Sequence, residues 1–168
     1  MTKKLLFVFL LVVGVTFAGM CWADSPKQIE ALQAKVDAGD MDALGTMISL
    51  YQVGRGETAK DPAKAFALIQ KAVEMGSPVY QRVLANIYLS GKLSYTDLTV
   101  EKNPTLAVEL LEKSAAQNDK DALYSLARMY EKGENVTQDI EKAKALYQGA
   151  CDNGHTGACN NKLIAPPK

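Results

Sequence analysis

Apolar and polar positions along this chain follow a helical rhythm, and the rhythm itself recurs. Met47 and Tyr51, Leu84 and Tyr88, and Leu126 and Tyr130 are pairs four residues apart, with Leu50, Ile87 and Met129 beside them. Pairs at this spacing place one apolar stripe on a helix. Each stripe starts near Ala43, Tyr80 or Ala122 and stops at Gly54, Gly91 or Gly133. A second stretch then carries Ala65 and Ala72, Ala107 and Ser114, or Ala143 and Ala150, and closes on Gly76, Asn118 or Gly154. Spacings within each half are the same in all three copies, and only the loop between the halves changes length. Self-similarity of this kind marks stacked supersecondary units, each unable to bury its apolar faces alone.

Helix boundaries are legible from chemistry. Asp61-Pro62 and Asn103-Pro104 each offer a side-chain acceptor followed by proline at the first helical position, where no hydrogen bond is lost. Asp139 offers the cap without the proline. The recurrent alanines suit points where packed helix axes cross most closely, and the tyrosine stripe (Tyr51, Tyr88 and Tyr130) reads as core rather than surface. A leading helix opens at a capping box, Ser25-Pro26-Lys27-Gln28, carries Ile29, Leu32 and Val36, and stops at Gly39. It corresponds to the second half of a repeat whose first half is missing. The predicted organisation is a leader over 1–23, a half-repeat over 24–39, and repeats over 40–76, 77–118 and 119–154. A capping helix and tail follow over 155–168. No stretch alternates as a strand does.

The run Ala122-Leu123-Tyr124-Ser125-Leu126-Ala127-Arg128-Met129-Tyr130-Glu131-Lys132-Gly133, with Val136, Asp139, Lys142-Ala143 and Leu146-Tyr147, resembles the Sel-one-like repeat, a relative of the tetratricopeptide repeat. The resemblance spans about Asp24 to Leu163. It implies an all-α, right-handed α-α superhelix of antiparallel helix pairs with a concave groove, used mostly as an adaptor or scaffold. The second copy departs from the pattern: Tyr80 replaces the first alanine, Asn118 the closing glycine, and the loop over 92–103 is longer.

Cys151 and Cys159 flank Asn153-Gly154, where every other copy ends a helix. On one continuous helix their Cα atoms would stand about 12 Å apart, beyond the roughly 7 Å reach of a disulfide. A reversal at Gly154 would bring the thiols together. The segment is similar to the cysteine-rich branch of the family, which implies a bridge between these two residues. Free thiols, or a metal site using His155, are the alternatives, although zinc wants four ligands and no fourth is near.

Residues 1–23 lay out a secretory signal: Lys3 and Lys4, an uncharged run from Leu5 to Ala18, then small residues up to Ala23. Cleavage is expected after Ala23, with Ala18 as the second choice; a retained anchor or lipidation at Cys21 are the competing readings. Removing this segment takes two lysines from a chain with 19 basic and 19 acidic residues. The remainder is slightly acidic, unlike the basic stripe of a nucleic-acid binder. Export to the periplasm or beyond follows.

No nucleophile motif, phosphate loop or paired carboxylates stand out, and His155 is the one histidine. The expectation is therefore a non-enzymatic module without cofactor or metal that binds a protein partner. The candidate surface comprises Thr46, Ser49, Arg82, Asn86, Ser125 and Arg128 on the first helices, with Tyr95 in the long loop. Arg82 and Arg128 point to an acidic partner. The loop reads either as a contact element or as a local cluster folded back on the solenoid. An immunity protein against a secreted antibacterial effector is an alternative role. A cell-wall ligand binder or weak β-lactam hydrolase is a second, resting on the cysteine-rich resemblance alone.

Overall fold

The computed structural model describes residues 26–55 and 58–164. The leader and the first residue of the predicted capping box lie outside them. Eight helices follow one another among the described residues: α1 (Pro26–Asp37), α2 (Met41–Val53), α3 (Pro62–Glu74), α4 (Pro78–Ser90), α5 (Pro104–Ala115), α6 (Lys120–Lys132), α7 (Ile140–Asp152) and α8 (Thr156–Cys159). Each packs on the next from α1 to α8, which makes the array a solenoid. We call α2, α4, α6 and α8 the A helices and the others B helices.

The caps form as the chemistry requires. Asp61, Asn103 and Asp139 accept from the backbone N–H of Lys64, Leu106 and Lys142. The crossing points are as tight as the alanines suggest: Ala65, Ala72, Ala107, Ala122, Ala143 and Ala150 are all fully buried. Ser114 stands at one such point and is equally buried; its hydroxyl donates to the Pro78 carbonyl at 2.7 Å. A buried hydroxyl without a partner would destabilise the site, and this bond removes that penalty. Tyr51, Tyr88 and Tyr130 are half-buried against the core, and it is Tyr147 that is wholly enclosed, at 1% exposure.

One backbone device fixes the geometry of every repeat. The N–H of Gly54, Gly91 and Gly133 donates to the carbonyl of Leu50, Ile87 and Met129, closing the A helix. Next, the N–H of the B-helix cap (Asp61, Asn103 or Asp139) donates to the carbonyl of Tyr51, Tyr88 or Tyr130 at 2.8, 3.1 and 2.9 Å. The chain thus returns to the same carbonyl whatever the loop length. Gly91 sits at φ 74°, where a side chain is strained, and a Cβ there would also lie 3.2 Å from the Val100 carbonyl oxygen.

The long loop folds back on the solenoid. Leu93 is 1% exposed, and Leu98 and Val100 pack against the core. Its limbs are joined by an isolated bridge between Lys92 and Thr99 and by the Val100 N–H donating to the Gly91 carbonyl. Tyr95 lies at its tip, 84% exposed and at φ 63°.

The described residues open on a B helix, α1, and close on an A-type turn, α8. At the C-terminus α8 begins a fourth A helix: His155 stands where Asp40, Ser77 and Asp119 stand, and Ala158, fully buried, where Ala43 and Ala122 stand. The chain reverses at Gly154 (φ 84°), and Cys151 and Cys159 form a disulfide with Cα atoms 4.8 Å apart. No helix among the described residues is long and apolar enough to cross a membrane.

Candidate functional site: the outward face of the A helices

The inward rows of α2, α4 and α6 keep one apolar pattern from copy to copy, apart from Tyr80 and Gln81 in α4. The outward rows do not repeat, and the candidate residues lie on them. Thr46, Ser49, Asn86 and Arg128 are exposed. Ser125 is half-buried, its hydroxyl turned back to donate to the Asp121 carbonyl at 2.7 Å. Two cavities open here. One of about 670 Å³ runs between α2 and α4, with Asp42, Gly45, Thr46, Ser49, Arg55 and Tyr80 among its walls. The other, about 530 Å³, lies between α4 and the long loop, with Val83, Asn86, Lys92, Leu93 and Ser94. It joins Asn86 to the loop that carries Tyr95.

Arg82 corrects the simplest picture of a cationic groove. Its Nε donates to Asp119 Oδ1 at 2.9 Å, and a terminal guanidinium nitrogen meets Asp121 Oδ2 at 3.2 Å. Only 21% of the side chain is exposed, and 9% of that of Asp119. The guanidinium is therefore held within the fold, tying α4 to the cap of α6, and is not free to greet an acidic partner. Arg128 meets no carboxylate within salt-bridge distance among the described residues and is exposed on this face.

The next junction makes the same kind of tie with different chemistry. Tyr124, which occupies the place of Arg82 one repeat on, stacks on His155 with ring centroids 4.1 Å apart. His155 Nδ1 accepts the Ala158 N–H, so the imidazole caps α8 with its unprotonated nitrogen. Its Nε2 lies 3.8 Å from Asp121. The histidine is thereby a structural cap beside the disulfide. Among the described residues no cluster of three or more metal-ligating side chains is present.

The first junction lacks such a tie. Gly45 stands where Arg82 and Tyr124 stand, and Ser77, the cap residue of α4, makes no side-chain cap bond. Tyr80 leans over Gly45, so closely that a Cβ there would be 2.8 Å from the phenol oxygen. Burial, with the nearby Asp42 carboxylate, pushes the Tyr80 phenol above its usual pKa. The cavity walled by Gly45 and Tyr80 is the result. Sequence reasoning missed these ties; the visible signal was the recurrence of Asp-x-Asp-Ala-Leu at Asp40 and at Asp119.

Stacked antiparallel helix pairs with an open A face define a helical-repeat solenoid. Within that class the chain belongs to the Sel1 repeat family, whose model matches residues 41–77, 80–119 and 120–155. A Sel1 repeat protein from Oxalobacter formigenes is 30% identical and superposes with a TM-score of 0.69, over 79% of this chain and 94% of that one. A protective antigen of uropathogenic Escherichia coli with an SLR fold is 27% identical, TM-score 0.62, over 79% of this chain and 27% of that protein. The cysteine rich protein B of Helicobacter pylori shares the fold at 22% identity, TM-score 0.58, over 79% of this chain and 90% of that one. No curated protein matches the chain. Sel1 repeats typically serve protein–protein interaction without catalysis.

Proposed function

We propose that the chain acts in the cell envelope or outside the cell as a non-catalytic module that captures a protein partner along the outward face of its A helices. The observation that carries this reading is the contrast on those helices: the inward rows keep an apolar pattern apart from Tyr80 and Gln81, whereas the outward rows differ from copy to copy and border two open cavities. Asn86, Arg128 and Tyr95 are the contact residues of this proposal. Arg82 and Ser125 support the surface from within, as their internal bonds indicate. The disulfide agrees with an oxidising compartment.

The test is affinity capture from an envelope extract by the native chain and by an Asn86→Arg, Arg128→Glu, Tyr95→Ala triple variant. All three sites are exposed, so circular dichroism should show unchanged helicity. A partner retained by the native chain should be lost from the variant, and equal retention rejects this surface. The identity of the captured protein separates the roles. An envelope component means an adaptor, and a secreted antibacterial effector means immunity. Binding of muropeptides with no protein retained would sink the interaction reading.

A further inference from the structure

The Arg82 tie has a second, unfilled copy. Asp119-Lys120-Asp121-Ala122-Leu123 at the start of α6 repeats Asp40-Met41-Asp42-Ala43-Leu44 at the start of α2. The two caps share one backbone shape, φ −71° and ψ 110° at Asp40 against φ −65° and ψ 110° at Asp119. Each aspartate accepts the N–H of the alanine three residues on, at 2.9 and 2.8 Å; Asp40 Oδ1 also takes the Asp42 N–H at 3.0 Å, where Asp119 Oδ1 takes the Arg82 Nε. At Asp119 and Asp121 this arrangement holds a guanidinium in two contacts. At Asp40 and Asp42 no cation lies within salt-bridge distance among the described residues, where no A helix stands before α2 to supply one.

No arginine of the chain is placed to fill it. Its arginines are Arg55, Arg82 and Arg128, and residues 1–25, 56–57 and 165–168 contain none. Arg82 is committed to α6, Arg128 lies on α6 itself, and Arg55 follows the far end of α2. Asp42 also forms part of the wall of the 670 Å³ cavity, whose other end reaches Arg55.

We propose that Asp40 and Asp42 receive an arginine of a protein partner, whose chain continues from there into the groove between α2 and α4. This rests on the interaction reading above and names the chemistry that the partner must present. The guanidinium takes the Arg82 geometry, one nitrogen on the cap carboxylate and another on the carboxylate two residues later. A planar fork meets two carboxylates in this way, and an ammonium does so less well. The carboxylate of Asp42 and the guanidinium of Arg55 then give the groove a polarity, which favours an acidic residue towards the Arg55 end.

Phage bearing random dodecapeptides, selected on the full chain and on an Asp40→Asn, Asp42→Asn double variant, test the assignment. Asparagine caps a helix about as well as aspartate, so the variant retains its fold, checked by circular dichroism. Arginine should be enriched on the native chain and not on the variant. A selected peptide remade with lysine for arginine should bind about tenfold more weakly. Peptides without arginine, or an arginine bias that survives on the variant, overturn the receptor while leaving the interaction reading in place. Enrichment of no peptide on the native chain, with the capture assay above also failing, overturns both. Self-association in sedimentation equilibrium that is abolished by the double variant and by Arg128→Glu would give the pair to a second copy of the chain and overturn the partner assignment.

Discussion

The second and third repeats solve one packing problem with opposite chemistry. In the third, the pattern is kept: Leu123 and Ala150 fill their places, and Tyr147 is buried with its hydroxyl 2.6 Å from Glu131. In the second, Gln81 stands where the others have leucine and Ser114 where they have alanine, yet both are buried. The Gln117 amide donates to Gln81 at 2.9 Å, and Ser114 donates to Pro78. The intruding polar groups are thus satisfied by partners on the neighbouring helix or in the turn that follows it. A repeat can depart from its pattern when each buried polar atom finds a bond, at little net cost. The loop follows the same rule, since its extra length brings its own buried anchor, Leu93.

That contrast can be broken from the second-repeat side by Leu93→Ala. If the long loop is packed as core, the variant should lose about 2–4 kcal/mol in chemical denaturation; a loss under about 0.5 kcal/mol would return the loop to mere surface. On the third-repeat side, Cys151→Ser with Cys159→Ser should remove about 2–3 kcal/mol. The loss should be local, with fast amide exchange in α8 and slow exchange retained in α4 and α5. Between the two lies the junction tie. Arg82→Ala should cost about 1–2 kcal/mol, less than a fully buried charge pair would, because the guanidinium is partly solvated. An unchanged midpoint would show that Asp119 caps α6 equally well alone.

The smallest effect is the part of the alkaline pH dependence that the third repeat supplies. Burial first, and then the bond to Glu131, hold the Tyr147 phenol well above its ordinary pKa of 10.0. The folded state therefore binds this proton more tightly than the unfolded state. The associated stability is complete below pH 10 and declines as pH rises above it. Tyr147→Phe should flatten that alkaline decline, and an identical slope in both proteins would assign it to other groups.

Much of the architecture was legible in the sequence because helical packing is written locally. Asp61, Asn103 and Asp139 announce their helices within four residues, and Gly154 placed the reversal that joins Cys151 to Cys159. The A-face candidates were legible only as positions. Exposed Asn86 and Arg128 lie where helical phase puts them, whereas the fate of Arg82 depends on carboxylates 37 and 39 residues away. Side-chain reach across a repeat junction has no periodic signature. The tyrosine stripe was half right for a related reason. A tyrosine at the A-helix end keeps its ring on the core and its hydroxyl at the rim, as Tyr130 does in meeting the Lys142 ammonium. Tyr147 sits mid-helix and is sealed on all sides.

The bond from each B-helix cap to the carbonyl of an A-helix tyrosine bears on how such a chain can change over generations. It makes the intervening segment a port. Residues can be added between Gly91 and Asn103 without altering the register of anything downstream, since the re-entry point is set by one N–H and one carbonyl. Lengthening a flexible loop costs only about 0.6 kcal/mol per doubling. Novelty can therefore be grafted at one port while the neighbouring repeats inherit their geometry untouched.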